Sequence, residues 1–184
     1  LGCYGDGGAV FTNDDEVADY LRSIRVHGKG AFKYDNVRIG WNSRLDTIQA
    51  AILQVKFKAF AEYELKNINS VAEQYTKELE GIVKVPRIKE GFYSSWAQYT
   101  IQLESKKQRD DLQAYLKEAG IPTMVYYPKP MHQQLAFGQN KIYAECLVSE
   151  RLCDTVLSLP IHPYIEKKDI RMIIDKVKFF LRND

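Results

Sequence analysis

The chain has 184 residues, 45% of them apolar and 27% charged, with 26 basic and 24 acidic side chains for a formal charge of +2. These are the proportions of a soluble globular protein with enough length for one or two domains, and the near balance of charge argues against a nucleic-acid surface. No run approaches the 18 or more apolar residues of a membrane span, and the N-terminus lacks a basic-then-apolar leader pattern, so the expected location is cytoplasmic.

In chain order, the glycine cluster Gly5, Gly7 and Gly8 fits neither the dinucleotide nor the P-loop spacing and is read as a turn needing positive φ. Ala9–Thr12 is a short β-prone run. Asn13 then offers a capping amide with Glu16 three residues on, and Val17, Leu21 and Ile24 recur at helical spacing up to about His27–Gly28. Residues 28–40 form a polar loop without structure of its own, carrying Lys29, Lys33 and Arg38. From Thr47, the positions Ile48, Ala51, Ile52, Val55 and Ala59 mark one face of a long helix. The pattern runs on through Leu65, Ile68, Val71, Ala72, Tyr75 and Leu79, which implies two successive helices or one bent helix crossing between domains.

Beyond Gly81 the character changes. Residues 83–86, 96–103 and 123–127 read as strands, the second from the alternation of Tyr99, Ile101 and Leu103 with Thr100 and Gln102. Ser105 and Gln108 make a capping box for a helix with Leu112, Tyr115, Leu116 and Ala119 on one face, closed by Gly120. A helix is expected over 145–156, and a last one from about Lys167 with Ile170, Ile173, Ile174, Val177 and Leu181 in register. Together these elements make a small α/β arrangement with helices packed on a sheet. Cys3, Cys146 and Cys153 are odd in number and show no C-x-x-C spacing, which favours reduced thiols over a disulfide frame or a zinc site.

Two stretches carry candidate chemistry. Gly40-Trp41-Asn42-Ser43-Arg44-Leu45-Asp46 places an amide and a guanidinium just ahead of a helix start, where unpaired N–H groups and a partial positive charge suit an anion. A guanidinium can also grip a phosphate or carboxylate through two parallel hydrogen bonds. The alternative is an ordinary loop in which Ser43 or Asp46 caps the helix and Arg44 is solvated. In the second stretch, Tyr126, Tyr127 and His132 flank Pro128 and Pro130, which stiffen the backbone. A phenol and an imidazole there can bond sugar hydroxyls, the alternative being tyrosines packed into the core and a solvated His132. His27 and His162 read as structural, and Trp41 and Trp96 as packing groups. There is no Gly-x-Ser-x-Gly run and no catalytic Cys/His pair.

The run from Gly40 to Ala51 resembles the G-x-N-x-R-x-x-x-x-Q-A-A signature of the DegT/DnrJ/EryC1/StrS sugar aminotransferases. Three further blocks match in order: Gly5–Val10 with Arg25–Gly28, then Tyr126–His132, then Leu157–Pro163. The resemblance implies an α/β chain corresponding to the C-terminal part of a type I aspartate-aminotransferase-like fold. On that basis residues 1–48 end the large cofactor-binding domain, 49–80 form the interdomain helical segment, and 81–184 form the small domain. The implied cofactor is pyridoxal 5'-phosphate. Its Schiff-base lysine is expected just upstream of Leu1, so no catalytic residue is expected within this chain and the isolated piece should be inactive.

The implied activity is transfer of an amino group from an amino acid, usually glutamate, to a nucleotide-linked keto sugar for surface polysaccharide or glycan synthesis. The Ser95–Tyr99 run and the Tyr126–His132 run look most like members acting on a 3-keto uronic acid or a 4-keto-6-deoxy sugar. By the same resemblance the enzyme is a homodimer with shared active sites. Asn42 then reaches the cofactor phosphate of the neighbouring subunit, Arg44 meets the anionic part of the substrate, and Tyr127 and His132 bind the sugar. Tyr126 stands where the family often has histidine, which puts in doubt any proton-carrying role there. Two alternatives stay open: a dehydratase of the same fold with histidine in place of the lysine, and a non-catalytic dimerisation domain.

Overall fold

The structure, a computed structural model, describes residue 2, residues 4–137 and residues 146–183. It divides into two compact units, Leu1–Glu62 and Tyr63–Asp184.

In the first unit, helix α1 spans Asp15–Ile24. Its cap is Asp14 rather than the expected Asn13: the Asp14 carboxylate accepts the Val17 N–H at 3.0 Å. The same three-residue reach from Asn13 would end one residue short of that amide, and a carboxylate gains more from the positive helix end. The helix stops at Ile24, earlier than its apolar spacing implied, and the chain doubles back through His27 (φ 58°) and Gly28 (φ 74°). The loop that follows is not structureless, because antiparallel bridges join Lys29 to Asn36 and Val26 to Asn42. Residues 9–12 join no strand, since a β-prone run needs a partner and none lies beside it among the described residues. Gly5, Gly7 and Gly8 do not take positive φ. Instead Gly5 and Gly7 let the backbone run close to the side chains of Gln49 and Leu45.

Helix α2 spans Thr47–Ala59 and buries no residue fully. Of the expected face, Ile48, Ala51 and Val55 are exposed while Ile52 and Ala59 are partly buried. Apolar residues ring this helix, so spacing alone marks no single inward side. A π-helical turn, Phe60–Glu64, leads directly into α3, Leu65–Leu79; successive helices were expected, the π turn was not.

The second unit holds the described core. Strand β1, Tyr99–Gln102, pairs antiparallel with β2, Val156–Leu159, in the register Tyr99 to Leu159 and Gln102 to Val156. Single bridges extend the sheet on both sides, Lys84 to Gln102 and Met124 to Ser158. The expected strands at 83–86 and 123–127 thus shrink to one paired residue each, because Pro86 and Pro122 bracket them with backbone that cannot donate. Trp96 (φ 48°) turns out of the strand path, which shortens the 96–103 run to its centre. Strand β2 was not anticipated. The expected helix over 145–156 is α5, Leu147–Thr155, while Glu145 lies outside the described residues. The helix ends there because Arg109, buried in α4 (Lys106–Glu118), donates to the Cys153 carbonyl at 3.1 Å. A guanidinium on the last carbonyls of α5 satisfies groups that further helix would otherwise take up.

Helix α4 follows its sequence closely. Ser105 accepts the Gln108 N–H at 3.1 Å, while Gln108 reaches back to the Glu104 N–H. At its other end Ile121 N–H bonds Leu116 O and Gly120 N–H bonds Lys117 O, the paired closure that a left-handed glycine allows. Leu112 and Leu116 meet Tyr75 and Leu79 of α3, Tyr99 and Ile101 of β1, and Ile170, Ile173, Ile174 and Val177 of α6, Lys167–Asn183. Two buried phenols find partners: Tyr75 donates to Pro160 O and Tyr99 meets Thr76 Oγ1, each at 2.8 Å. Replacing the fully buried Leu112 by Ala should cost about 2–5 kcal/mol, read as a lowered midpoint in thermal unfolding.

Lys178 of α6 donates to Glu78 of α3 at 2.5 Å, and this hydrogen bond holds the carboxyl below its ordinary value of 4.5. A carboxyl more acidic in the folded than in the unfolded chain adds stability above pH 4.5 that is lost as pH falls through its lower folded value. Because the pair is partly open to solvent the effect is small. Acid unfolding curves of wild type and Glu78→Gln should therefore differ at neutral pH and converge at low pH.

Candidate active site

The end of α1 leaves carbonyl groups that no helical N–H can reach. The signature segment takes them: Trp41 N–H bonds Ile24 O at 2.7 Å and Ser43 N–H bonds Arg25 O at 2.9 Å, while His27 N–H returns to Trp41 O at 2.8 Å. Asn42 sits between two anchored residues, so its backbone position is set by α1. Gly40 makes this approach possible. A Cβ there would lie 2.2 Å from Gly28 N and 2.5 Å from Ile24 O, both backbone atoms that cannot swing aside. The glycine serves close packing rather than flexibility.

Asn42 and Arg44 are both exposed, and they are not independent: Arg44 Nε donates to Asn42 Oδ1 at 3.0 Å. With its oxygen engaged, the carboxamide is left with its NH2 group to donate, alongside the remaining guanidinium N–H groups. Asp46 holds the N-cap position of α2 but makes no side-chain cap bond, contrary to the capping alternative. Two directed donors therefore stand ahead of a helix start whose first N–H groups are not closed off by that side chain. Such a donor set fits a phosphate ester. Nearby lies a cleft of about 930 Å³ between residues 8–13, α1 and Trp41, Ser43 and Leu45. Trp41 lines it and is 67% exposed, so it is not the buried packing group expected.

In the second unit, Tyr127 and His132 line one cleft of about 560 Å³ with Pro128, Pro130, Met131 and Cys153. Neither tyrosine is buried; Tyr127 is 67% exposed and meets the Tyr126 ring edge-on at 5.6 Å. His132 is not solvated either. Its Nε2 lies 2.8 Å from Glu150 Oε1, in the first turn of α5. Nothing in the sequence had marked Glu150; an acid in a helix first turn is common, and its contact with His132 spans 18 positions. His162 accepts the Tyr164 N–H through Nδ1 at 3.2 Å and shapes a turn, while His27 sits in the reversal after α1. Trp96 packs against Tyr99 and donates to Asn69 at 2.9 Å, a structural role as expected. Burial first, then Asp154, pushes the Cys153 thiol up, which makes it a poor nucleophile. Cys3 lies outside the described residues. Among the described residues no three metal-ligating side chains cluster and no helix is long and apolar enough to cross a membrane.

Asn42 and Arg44 thus form one donor pair in the first unit, and Tyr127 and His132 share one cleft in the second. The first pair, held ahead of a helix start, is a donor set suited to a phosphate group. The chain belongs to the DegT/DnrJ/EryC1/StrS aminotransferase family, whose model it matches over residues 1–178. It is 44% identical over 94% of its length to the UDP-2-acetamido-2-deoxy-3-oxo-D-glucuronate aminotransferase of Pseudomonas aeruginosa, covering 46% of that protein. It is 36% identical over 97% of its length to the UDP-N-acetyl-3-dehydro-alpha-D-glucosamine 3-aminotransferase of Acidithiobacillus ferrooxidans, covering 47% of it. Among solved structures, a family aminotransferase from Brucella abortus superposes with a TM-score of 0.90 at 50% identity, over 98% of this chain and 48% of that one. The chain therefore has the fold of the matching part of this family's type I aminotransferases, and it spans about half the length of the relatives it matches.

A Cβ at position 40 forces the Trp41–Arg44 segment off the end of α1. Gly40→Ala should lower the thermal midpoint, whereas at a merely flexible glycine the same change would be neutral or stabilising by up to about 1 kcal/mol.

Proposed function

We propose that the protein is a pyridoxal phosphate-dependent aminotransferase acting on a nucleotide-linked keto sugar, and that this chain supplies its anion-holding and sugar-facing groups. The observation that carries the reading is the Asn42–Arg44 donor pair held ahead of α2. Asn42 donates to the cofactor phosphate, in a neighbouring copy within a homodimer that shares its sites. Arg44 braces Asn42 through Nε and turns its remaining N–H groups to the anionic part of the substrate. Tyr127 and His132 hold sugar hydroxyls. When bound, pyridoxal phosphate supplies the electron sink for moving the amino group. On this reading residues 1–48 end the cofactor domain, 49–80 carry the chain across, and 81–184 form the small domain. A cytoplasmic setting, with glutamate as donor and a polysaccharide precursor as product, completes the proposal.

The two relatives named above both act, by name, on UDP-linked sugars oxidised at C3. This favours a UDP-linked 3-oxo sugar over a 4-keto-6-deoxy sugar, and amino transfer over dehydration. The P. aeruginosa relative's substrate bears a uronic carboxylate, which Arg44 suits.

In the full-length protein, Asn42→Ala should weaken pyridoxal phosphate binding about 10- to 100-fold, the loss of one hydrogen bond to a charged group at ~1.5–3 kcal/mol. Spectroscopic cofactor titration measures it. Unchanged affinity, or a full-length protein that aminates no UDP-linked 3-oxo sugar in the presence of glutamate, refutes the assignment.

A further inference from the structure

The segment carrying Tyr126 and Tyr127 is attached at two places. On the strand side, Met124 exchanges both backbone hydrogen bonds with Ser158 of β2, at 2.8 and 3.2 Å. Around His132 the chain bonds to itself within the turn: Gln133 N–H to Pro130 O, Gln134 N–H to Met131 O, and the Gln134 amide to Lys129 O. Pro128 and Pro130 stiffen this stretch but donate nothing. On the far side the hold is His132, whose Nε2 meets Glu150 Oε1 of α5 at 2.8 Å. The imidazole is the less exposed partner, at 18% against 39% for the carboxylate. Residues 125–131 are thus a strap with a backbone bridge at one end and the His132–Glu150 pair at the other, its Val125 packed on the core and its Pro130 buried, while residues 126–129 between them are exposed. Both tyrosine rings stand on the strap, partly or largely open to solvent.

We infer that Glu150 is a positioning residue: by holding His132 it fixes the strap, and with it the placement of Tyr127 toward the nucleotide sugar. This rests on the substrate role proposed for Tyr127. The physical reason is leverage. A strap with two prolines moves as a stiff body, so releasing one end displaces the phenol by a distance that matters for a hydrogen bond. A carboxylate in the first turn of α5 also favours the helix by itself, and the test must separate the two roles.

The experiment uses the full-length protein with Glu150→Ala, Glu150→Gln, His132→Ala and the double variant Glu150→Ala/His132→Ala. Hydrogen exchange read by mass spectrometry should quicken in peptides covering 125–134 of Glu150→Ala and stay unchanged in α4 and β1. The KM for the UDP-linked 3-oxo sugar should rise about 10- to 100-fold, with a much smaller change in the glutamate half-reaction followed by cofactor absorbance. His132→Ala should add little once Glu150 is gone. Where Glu150→Ala fails to fold, Glu150→Gln, which keeps the helix start and loses the charge, should show the same split in weaker form. Unaltered exchange over 125–134, additive single variants, or equal damage to both half-reactions overturns the inference. If wild type turns over no nucleotide sugar, the functional reading fails, and the exchange data alone decide whether Glu150 ties the strap.

Discussion

Everything distinctive about the first unit depends on how the last carbonyls of α1 are satisfied. A helix end needs acceptors paired, and here the donors are the amides of Trp41 and Ser43, 17 and 18 residues downstream of the Ile24 and Arg25 carbonyls they meet. The two ends of the intervening loop are sewn together by these bonds and by the Val26 to Asn42 bridge. Asn42 lies between the anchored residues and Arg44 just beyond them, so this hydrogen-bonded pair is positioned by a helix to which neither side chain belongs. Gly40 is the condition for all of it, since backbone atoms of Gly28, Ile24 and His27 occupy the space a side chain would need.

The second unit uses a different means to the same end. Its core from α3, α4, α6 and the two strands is closed and apolar, and polar groups within it are paired rather than omitted. Arg109 is the instructive case: a guanidinium only 4% exposed, balanced by Asp110 at 2.6 Å and by the carbonyls of Cys153 and Val156. A buried charge is tolerated when its donors are all directed, and this one ends α5 and starts β2. Glu64 is a second buried charged residue, receiving the Tyr164 hydroxyl, and that hydrogen bond raises the phenol above its ordinary value. It joins the π-helical turn to the loop after β2. Insertions of this kind into a helix occur often at functional positions, and here the turn coincides with the boundary between the compact units.

The two candidate regions differ in how their side chains are exposed, and that difference accords with the ligands proposed for them. Asn42 and Arg44 stand in the open and support each other, as suits a charged ligand that brings its own strong acceptors. Tyr127 lines a concave, mainly apolar wall stiffened by prolines, as suits a ring with hydroxyls on its edges. The wealth of exposed apolar residues along the first unit, among them Phe11, Ile39, Trp41 and Ile48, is consistent with a chain that spans about half of its relatives' length.

By itself, the sequence determined the elements whose signals are local. The capping box and glycine closure of α4, the apolar register of α6 and the helical nature of residues 47–79 are set by residues three or four positions apart. It also carried the family motif, from which Asn42, Arg44, Tyr127 and His132 were drawn. What only the tertiary structure decided are relations between distant residues. That Asp46 does not close its own helix, that Gly40 is needed for space, that residues 156–159 leave a helix to become a strand, and that Glu150 holds His132 all depend on contacts far apart in the chain. Local spacing reports the face a residue prefers, but the partner that satisfies a carbonyl, a guanidinium or an imidazole is chosen only when the chain has folded back upon itself.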